Sequence, residues 1–138
     1  MEILVTFEIK STMKILLTGA SRGVGREAAI QLASEGNELF LVARSAEHLH
    51  NVKAECKGAT VHLLDFDLLQ VDEIGELAAR ITAKTDFLDA VVNNAGLLIK
   101  KPFISFTMEE SRRVFEVNYF APEALIRALL PLLKASGA

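Results

Sequence analysis

Short apolar runs alternate along this chain with segments of helical periodicity, and this alternation limits the folds that the chain can adopt. The runs lack the period-two pattern of half-exposed strands, as expected for strands that are covered on both faces. They are Lys14–Leu17, Glu38–Ala43, Thr60–Leu64 and Leu88–Val92. Strands linked by crossover helices form parallel sheets with right-handed connections. The pattern therefore predicts an α/β fold with a doubly wound, Rossmann-like parallel sheet in the strand order 3-2-1-4.

The segments between the apolar runs predict helices. They cover Val24–Glu35, Ala46–Glu55 and Val71–Lys84. In the first of them Val24, Ala28 and Leu32 fall on one face, which predicts that this face packs on the sheet. Gly36 supplies the expected stop signal.

A last, long helix is predicted to begin at Thr107. The Thr107 side chain can cap its N-terminus while Glu110 reaches back to form a capping box. The helical pattern extends towards Leu133, but Pro122 interrupts the backbone hydrogen-bond ladder. We therefore expect a kink or break near Asn118.

Composition excludes several classes of protein. A chain of 138 residues supports one domain, and a net charge of −3 with scattered lysines and arginines argues against nucleic acid as a partner. No apolar run is long enough to span a bilayer, so no membrane partner is expected, and we predict no metal site. Cys56 is the only cysteine, which fits a cytoplasmic protein with a buried structural thiol. The 51% hydrophobic content predicts an apolar surface that meets a partner, with a homo-oligomer expected.

A glycine-rich loop follows the first apolar run and opens the first predicted helix. Glycines at these positions allow a tight turn and let the backbone approach a pyrophosphate, whose charge is met by free N–H groups and the positive helix end. The loop residues that we expect to bind a dinucleotide are Gly19, Ser21, Arg22, Gly23, Val24 and Gly25.

The spacing of these glycines, Gly-x-x-x-Gly-x-Gly, resembles that of the short-chain dehydrogenase/reductase family. A second motif of that family, Asn-Asn-Ala-Gly, follows the fourth apolar run as Asn93 to Gly96. The resemblance implies that Asn94, Ala95 and Gly96 line the ribose on the nicotinamide side of the cofactor. It also implies that Asn93 braces the sheet.

The resemblance extends to two further positions. Asp67 and Leu68, after the third apolar run, resemble the pair that contacts the adenine, although Asp65 fits that role nearly as well. Asn118 matches the helix asparagine that organises a water of the catalytic proton relay in this family. Asn118 is therefore the one catalytic residue that the resemblance implies for this chain.

The end of the second apolar run indicates which cofactor is preferred. Sites that prefer NAD place an acidic residue there to accept a hydrogen bond from the ribose 2′-hydroxyl. This chain has Arg44 instead, and Arg22 in the glycine loop offers a second positive charge. Guanidinium groups suit a 2′-phosphate, so the sequence predicts NADP(H) as the cofactor.

The catalytic residues of the family have no counterpart in this sequence. The family uses a serine and a Tyr-x-x-x-Lys motif, in which the lysine lowers the tyrosine pKa. Tyr119 is the only tyrosine, and Glu123 stands four residues after it. The resemblance covers residues 13–138, so we expect a truncated oxidoreductase whose NADP(H)-binding portion is inactive by itself. The alternative is a non-catalytic module that binds a dinucleotide or assembles through a sheet edge.

Residues 1–12 precede the part of the chain that resembles the family. They are expected to be an expression remnant or an added strand, because Ile3, Val5 and Phe7 alternate with other residues from Glu2 to Ile9. The fourth strand would otherwise leave an open sheet edge, and open edges recruit strands. We therefore expect residues 2–9 to pair beside it, in the same chain or by strand swapping between two chains.

Overall fold

The computed structural model describes residues 12–137, and these form an α/β fold. The strands are β1 (Lys14–Thr18), β2 (Glu38–Ala43), β3 (Val61–Asp65) and β4 (Ala90–Val92). The helices are α1 (Gly23–Ser34), α2 (Ala46–Glu55), α3 (Ile74–Thr82), α4 (Met108–Phe115) and α5 (Ala121–Ala135). All strand pairs are parallel, and the sheet order is β3-β2-β1-β4. The predicted fold class and strand order are confirmed.

Strand β4 is shorter than the apolar run that predicted it. It begins at Ala90: the Leu88 amide donates to the Leu132 carbonyl of α5, while Asp89 bonds the Lys14 backbone through its own amide and through its carboxylate, which accepts from the Lys14 amide at 2.8 Å. Among the described residues, β4 pairs only with β1. The strand predicted for residues 2–9 lies outside the described residues.

Each face of the sheet has its own hydrophobic core. On one face, alternate strand residues such as Leu16 and Phe40 pack against α3 and α5. On the other face, residues such as Leu17 and Leu39 pack against α1 and α2. Cys56 is buried in this second core, as predicted, and the burial raises the pKa of its thiol, with a smaller contribution from the neighbouring Glu55.

Of the three residues of α1 predicted to pack on the sheet, Ala28 and Leu32 do so while half-buried, and Val24 does not. The buried residues are Gly25, Ala29 and Ala33, whereas Val24 is 78% exposed. The most buried residues of the helix are therefore small ones. A Cβ on Gly25 would overlap the Gly19 carbonyl oxygen, so only a glycine fits this close contact between helix and loop. Periodicity of large apolar residues did not reveal this contact.

The two C-terminal helices are joined without a loop. Thr107 and Glu110 form the predicted capping box at the start of α4. A π-helical turn over Glu116–Phe120 follows, and Pro122 lies in the first turn of α5. The break predicted near Asn118 therefore takes the form of an extra residue in the helix, which shifts the faces of α4 and α5 relative to each other.

Candidate functional site

Loops that follow all four strands line a cleft of about 510 Å³ at the carboxyl edge of the sheet. In a parallel sheet these loops meet at one edge, which is where open α/β folds bind their ligands. Every cofactor-binding residue predicted from the sequence lines this cleft, while the predicted catalytic residue Asn118 does not. The structure thus brings the two glycine-containing motifs, Arg44 and Asp67 together.

The glycine loop is held close to the segment that follows β4. Gly19 has a φ of +68°, and a Cβ at this position would lie 2.8 Å from the Cα of Ala95. Gly25 is buried against Gly19, as described above. A larger residue at either position would push the loops apart. The glycines therefore form a cradle in which backbone, rather than side chains, faces the cleft.

The N-terminus of α1 opens into this cradle without a side-chain cap. Arg22 occupies the N-cap position, its side chain makes no capping hydrogen bond, and the first turn contains no acidic residue. The first backbone N–H groups of a helix have no acceptor within the helix. Together with the helix dipole, these groups make the cradle suited to an anion such as a pyrophosphate.

A buried threonine fixes the segment after β4. The Thr18 hydroxyl accepts hydrogen bonds from the backbone amides of Asn94 and Ala95, both at 3.1 Å, and donates to the Val92 carbonyl at 3.4 Å. Thr18 is 1% exposed, so these bonds are protected from water. The sequence analysis did not single out Thr18, although a hydroxyl at the end of an apolar strand is a visible signal.

Asn94 braces the two motifs against each other. Its side-chain amide donates to the carbonyl oxygens of Thr18 and Gly19, at 3.1 and 3.3 Å. The brace had been expected from Asn93, whose side chain is exposed instead. Asn94, and not Asn93, therefore directs its side chain towards the end of β1, where its amide contacts the glycine loop.

The cleft carries positive charge that the protein itself does not neutralise. Arg22 and Arg44 line it, and both are exposed. Arg113 of α4 lines it as well. Within residues 12–137 none of these three arginines forms a salt bridge. An anionic ligand therefore finds cations whose hydrogen-bond donors are available.

The two candidate aspartates after β3 differ in their surroundings. The Asp65 carboxylate accepts a hydrogen bond from Arg80 at 3.0 Å, and Asp65 lines a neighbouring cavity rather than the cleft. Asp67 lines the cleft, and one of its carboxylate oxygens accepts from the Leu69 amide at 3.0 Å. Asp67 is therefore the aspartate that a ligand in the cleft can reach.

Asn118 lies on the π-helical turn and holds the loop beside the cleft. Its side-chain oxygen accepts from the Leu97 amide at 2.7 Å, and its side-chain nitrogen donates to the Leu97 carbonyl at 3.0 Å. Leu97 directly follows Gly96 and lines the cleft. Asn118 thus fixes the end of the Asn-Asn-Ala-Gly segment from a neighbouring helix.

No described helix is both long enough and apolar enough to cross a membrane. In the same part of the chain, no group of three or more histidine, cysteine, aspartate or glutamate side chains is arranged to hold a metal ion.

Comparison with known proteins is consistent with this geometry. The family model described as short chain dehydrogenase matches residues 13–138. Dehydrogenase/reductase SDR family member 7B of Xenopus tropicalis is 33% identical over 125 residues, which cover 85% of this chain and 40% of the relative. The chain therefore spans about two-fifths of the length of this curated relative.

Two solved structures contain a bound nicotinamide cofactor. A metagenomic short-chain oxidoreductase in complex with NADP superposes with a TM-score of 0.83 at 33% identity, covering 90% of this chain and 57% of that one. The L-sorbose reductase of Gluconobacter frateurii, complexed with NADPH and L-sorbose, gives a TM-score of 0.86 at 27% identity, covering 92% of this chain and 49% of that one.

Proposed function

The chain belongs to the short-chain dehydrogenase family of oxidoreductases, and we propose that it is the NADP(H)-binding portion of such an enzyme. The observation that carries the proposal is the cleft, in which a glycine cradle and an uncapped helix N-terminus lie beside arginines that form no salt bridge within residues 12–137. When bound, NADPH would donate a hydride to a carbonyl compound, and NADP⁺ would accept a hydride from an alcohol. We propose residues 13–138 as the cofactor-binding domain and residues 1–12 as a segment outside it.

The proposed cofactor pose follows the order of the strands. The pyrophosphate lies against Gly19–Gly25 and the start of α1, where the free N–H groups are. Asp67 and Leu68, after β3, bind the adenine at one end of the cleft, and Asp65 is committed to Arg80. Residues 94–96, after β4, contact the nicotinamide-side ribose at the other end. The strand order supports this pose, because β3 and β4 are the two outermost strands of the sheet.

The preference for NADP(H) over NAD(H) rests on Arg44 and Arg22. Arg44 directly follows β2, at the position where an acidic residue would accept a bond from the 2′-hydroxyl. Both guanidinium groups are exposed at the cleft, so they can form charge-assisted hydrogen bonds with a 2′-phosphate. We propose that Arg44 makes the principal contact and Arg22 the second.

For Asn118 we propose a role in catalysis that includes positioning. Its amide already holds the Leu97 backbone through one donor and one acceptor. An amide group has a further N–H and a further lone pair, which remain for the relay water that the family resemblance implies. Loss of Asn118 would therefore affect both the loop and the proton relay in the complete enzyme.

The 138-residue chain is expected to bind cofactor without turning over substrate. Its sequence offers no Tyr-x-x-x-Lys motif to supply a general acid or base, a contribution of about a hundred- to ten-thousandfold. Steady oxidation of NADPH against a panel of carbonyl compounds, in proportion to the pure protein, would contradict this expectation.

A second candidate function is assembly without turnover, as a cytoplasmic homo-oligomer. The observation that favours it is a group of highly exposed apolar side chains: Leu98 is 85% exposed, Phe103 92% and Ile104 93%. Such side chains on a folded surface mark a place where protein contacts form. Strand swapping through residues 2–9 is the proposed route. Light scattering on the full chain and on a variant that begins at Met13 tests it, and an unchanged oligomeric state would contradict it.

Cofactor titration tests the primary proposal. The chain should bind NADPH more tightly than NADH by about ten- to a hundredfold. This factor corresponds to the contribution of a hydrogen bond to a charged group, which is about 1.5–3 kcal/mol. Arg44→Asp should erode or reverse this preference. Lys53→Asp makes the same change of charge on the exposed surface of α2, outside the cleft, and should leave the preference intact. Equal affinities for both cofactors in the unaltered chain would contradict the proposal.

A further inference from the structure

Arg113 is a cleft residue that the motifs do not account for, and we propose that its guanidinium plane stacks on the adenine of the bound cofactor. This inference rests on the proposed cofactor function and adds a residue that determines affinity. Arg113 lies in the last turn of α4 and lines the cleft. None of the carboxylates in residues 12–137 forms a salt bridge with it.

The neighbours of Arg113 place it at the end of the cleft assigned to adenine. A second cavity adjoins the cleft, and Arg113 and Leu69 line both. Gln70, the next residue after Leu69, lines the second cavity. Leu69 also donates its amide to Asp67, the proposed adenine contact. Arg113 therefore lies against the same loop that carries Asp67.

The packing of the helices explains this placement. The π-helical turn at Glu116–Phe120 continues α4 and contacts the 3₁₀ turn at Val71–Glu73, which follows the loop after β3. The C-terminal end of α4 is thereby held over that loop. Val117, four residues after Arg113, also lines the cleft. Residues spaced by four share a helix face, so this face presents a planar cation beside an apolar side chain.

This combination suits a flat, aromatic heterocycle. Arginine stacks on aromatic faces through its planar guanidinium, and the cation is attracted by the π-electrons of the ring. Leu68 and Leu69 line the cleft from the loop after β3 and supply apolar contact. A base between this loop and α4 meets apolar side chains and the Arg113 plane. The contact does not involve the 2′-phosphate, which separates the proposed role of Arg113 from that of Arg44.

Titration of NADPH, NADH and adenosine 2′,5′-bisphosphate into three variants tests the proposal. Arg113→Ala should weaken all three ligands by a similar factor of about 3 to 30, the range of cation–π contacts from exposed to desolvated sites. Arg113→Lys keeps the charge but loses the plane, and should recover only part of the affinity. Arg112→Ala removes the same charge from the adjacent position, which does not line the cleft, and should bind as the unaltered chain does. Unchanged thermal unfolding of each variant shows that the fold is retained.

Several results would overturn the proposal. Binding by Arg113→Ala equal to that of the unaltered chain would exclude a contact, and a loss confined to NADPH and the bisphosphate would assign Arg113 to the 2′-phosphate. Full affinity in Arg113→Lys would show that charge alone matters. If the unaltered chain bound neither NADPH nor NADH, the proposed function would fail together with this inference. If it bound both and Arg113→Ala did too, only the inference would fail.

Discussion

The amino edge of the sheet, where its strands begin, and the carboxyl edge, where they end, differ in whether their charged side chains are paired. At the amino edge, Glu38 contacts both Lys14 and His62, and the three residues lie at or near the starts of adjacent strands. At the carboxyl edge, Arg22 and Arg44 line the cleft without a carboxylate partner among residues 12–137. The amino edge uses its charges to hold the fold together, and the carboxyl edge keeps its charges available to a ligand.

The amino-edge network crosses three strands. The Glu38 carboxylate contacts His62 Nε2 at 2.7 Å and Lys14 Nζ at 3.7 Å. The His62 ring stacks on Phe40, with 4.5 Å between the ring centroids, and Lys14 Nζ also donates to the Thr85 hydroxyl at 3.0 Å. Strand register brings Lys14, Glu38, Phe40 and His62 together, while Thr85 reaches Lys14 from the loop before β4, so these contacts stabilise the sheet away from the cleft.

At the carboxyl edge, uncharged side chains, backbone groups and glycines hold the loops together. Thr18 and Asn94 tie the ends of β1 and β4 together, and Gly19 and Gly25 bring loop and helix into contact. The side chains that carry charge are not part of this scaffold. Loops held in place beside arginines that have no carboxylate partner among residues 12–137 are typical of a preorganised ligand-binding site.

The largest expected effect on stability and binding is that of Gly25→Ala, which disturbs the contact between α1 and the glycine loop. The added methyl group overlaps the Gly19 carbonyl, and overpacking of this kind typically costs about 1–3 kcal/mol. We expect a loss of unfolding free energy in this range, measured by urea denaturation, and loss of NADPH binding. Gly75→Ala is the matched control: no heavy atom lies within 4 Å of its added Cβ, and alanine favours a helix, so stability should rise slightly.

Asn118→Ala is expected to have the next largest effect. It removes two hydrogen bonds to Leu97, each of which contributes about 0.5–1.5 kcal/mol to stability. Because Leu97 lines the cleft, NADPH affinity should fall as well. Asn51→Ala, on the exposed surface of α2, removes an asparagine that makes no contact with the cleft. If both variants behaved alike, Asn118 would not be holding the loop.

Glu38→Gln changes a residue of the amino edge and leaves the residues of the cleft unaltered. It removes the charge that attracts Lys14 and His62 and should lower the unfolding free energy by about 0.5–1 kcal/mol, since the pairs are partly exposed. NADPH affinity should stay the same. Glu35→Gln changes the same charge at an exposed position after α1 and serves as the control. A drop in cofactor affinity for Glu38→Gln would break the division between the two edges.

The smallest expected effect is a pH dependence at the capping box of α4. Lys101, and then the Thr107 backbone amide, lower the pKa of the Glu110 carboxyl group. A carboxyl whose pKa is lower in the folded state stabilises the fold above its unfolded pKa, and the contribution disappears as the pH falls through the folded value. Thermal unfolding should therefore show a small loss of stability in acid that Glu110→Gln lacks. Identical acid profiles would contradict this.

Much of this molecule could be predicted from its sequence, because the relevant signals are local. Strand runs, the capping box at Thr107 and the glycine spacing each depend on neighbouring residues, and the strand order is the one typical of the doubly wound fold. All predicted cofactor-binding residues line one cleft, because the loops after parallel strands meet at the carboxyl edge of the sheet.

The rest depends on contacts between distant segments. The most buried residues of α1 were not predicted, because Gly25 packs by being small and hydrophobic periodicity is recognised from larger side chains. The brace was assigned to Asn93 rather than Asn94, since the pleat at the end of β4 is not visible in sequence. Arg113 was missed because the π-helical turn fixes how α4 faces the cleft, and its position depends on packing.

We propose that the carboxyl edge of the sheet, and not the amino edge, binds the cofactor. NMR chemical-shift mapping of NADPH on the isotopically labelled 15.1 kDa chain distinguishes the two edges. We expect shifts at the amides of Gly19 to Gly25, Arg44, Asp67, Leu68 and Asn94 to Gly96, with those of Glu38 and His62 unchanged. Shifts centred on the amino edge, or none at saturating NADPH, would contradict it.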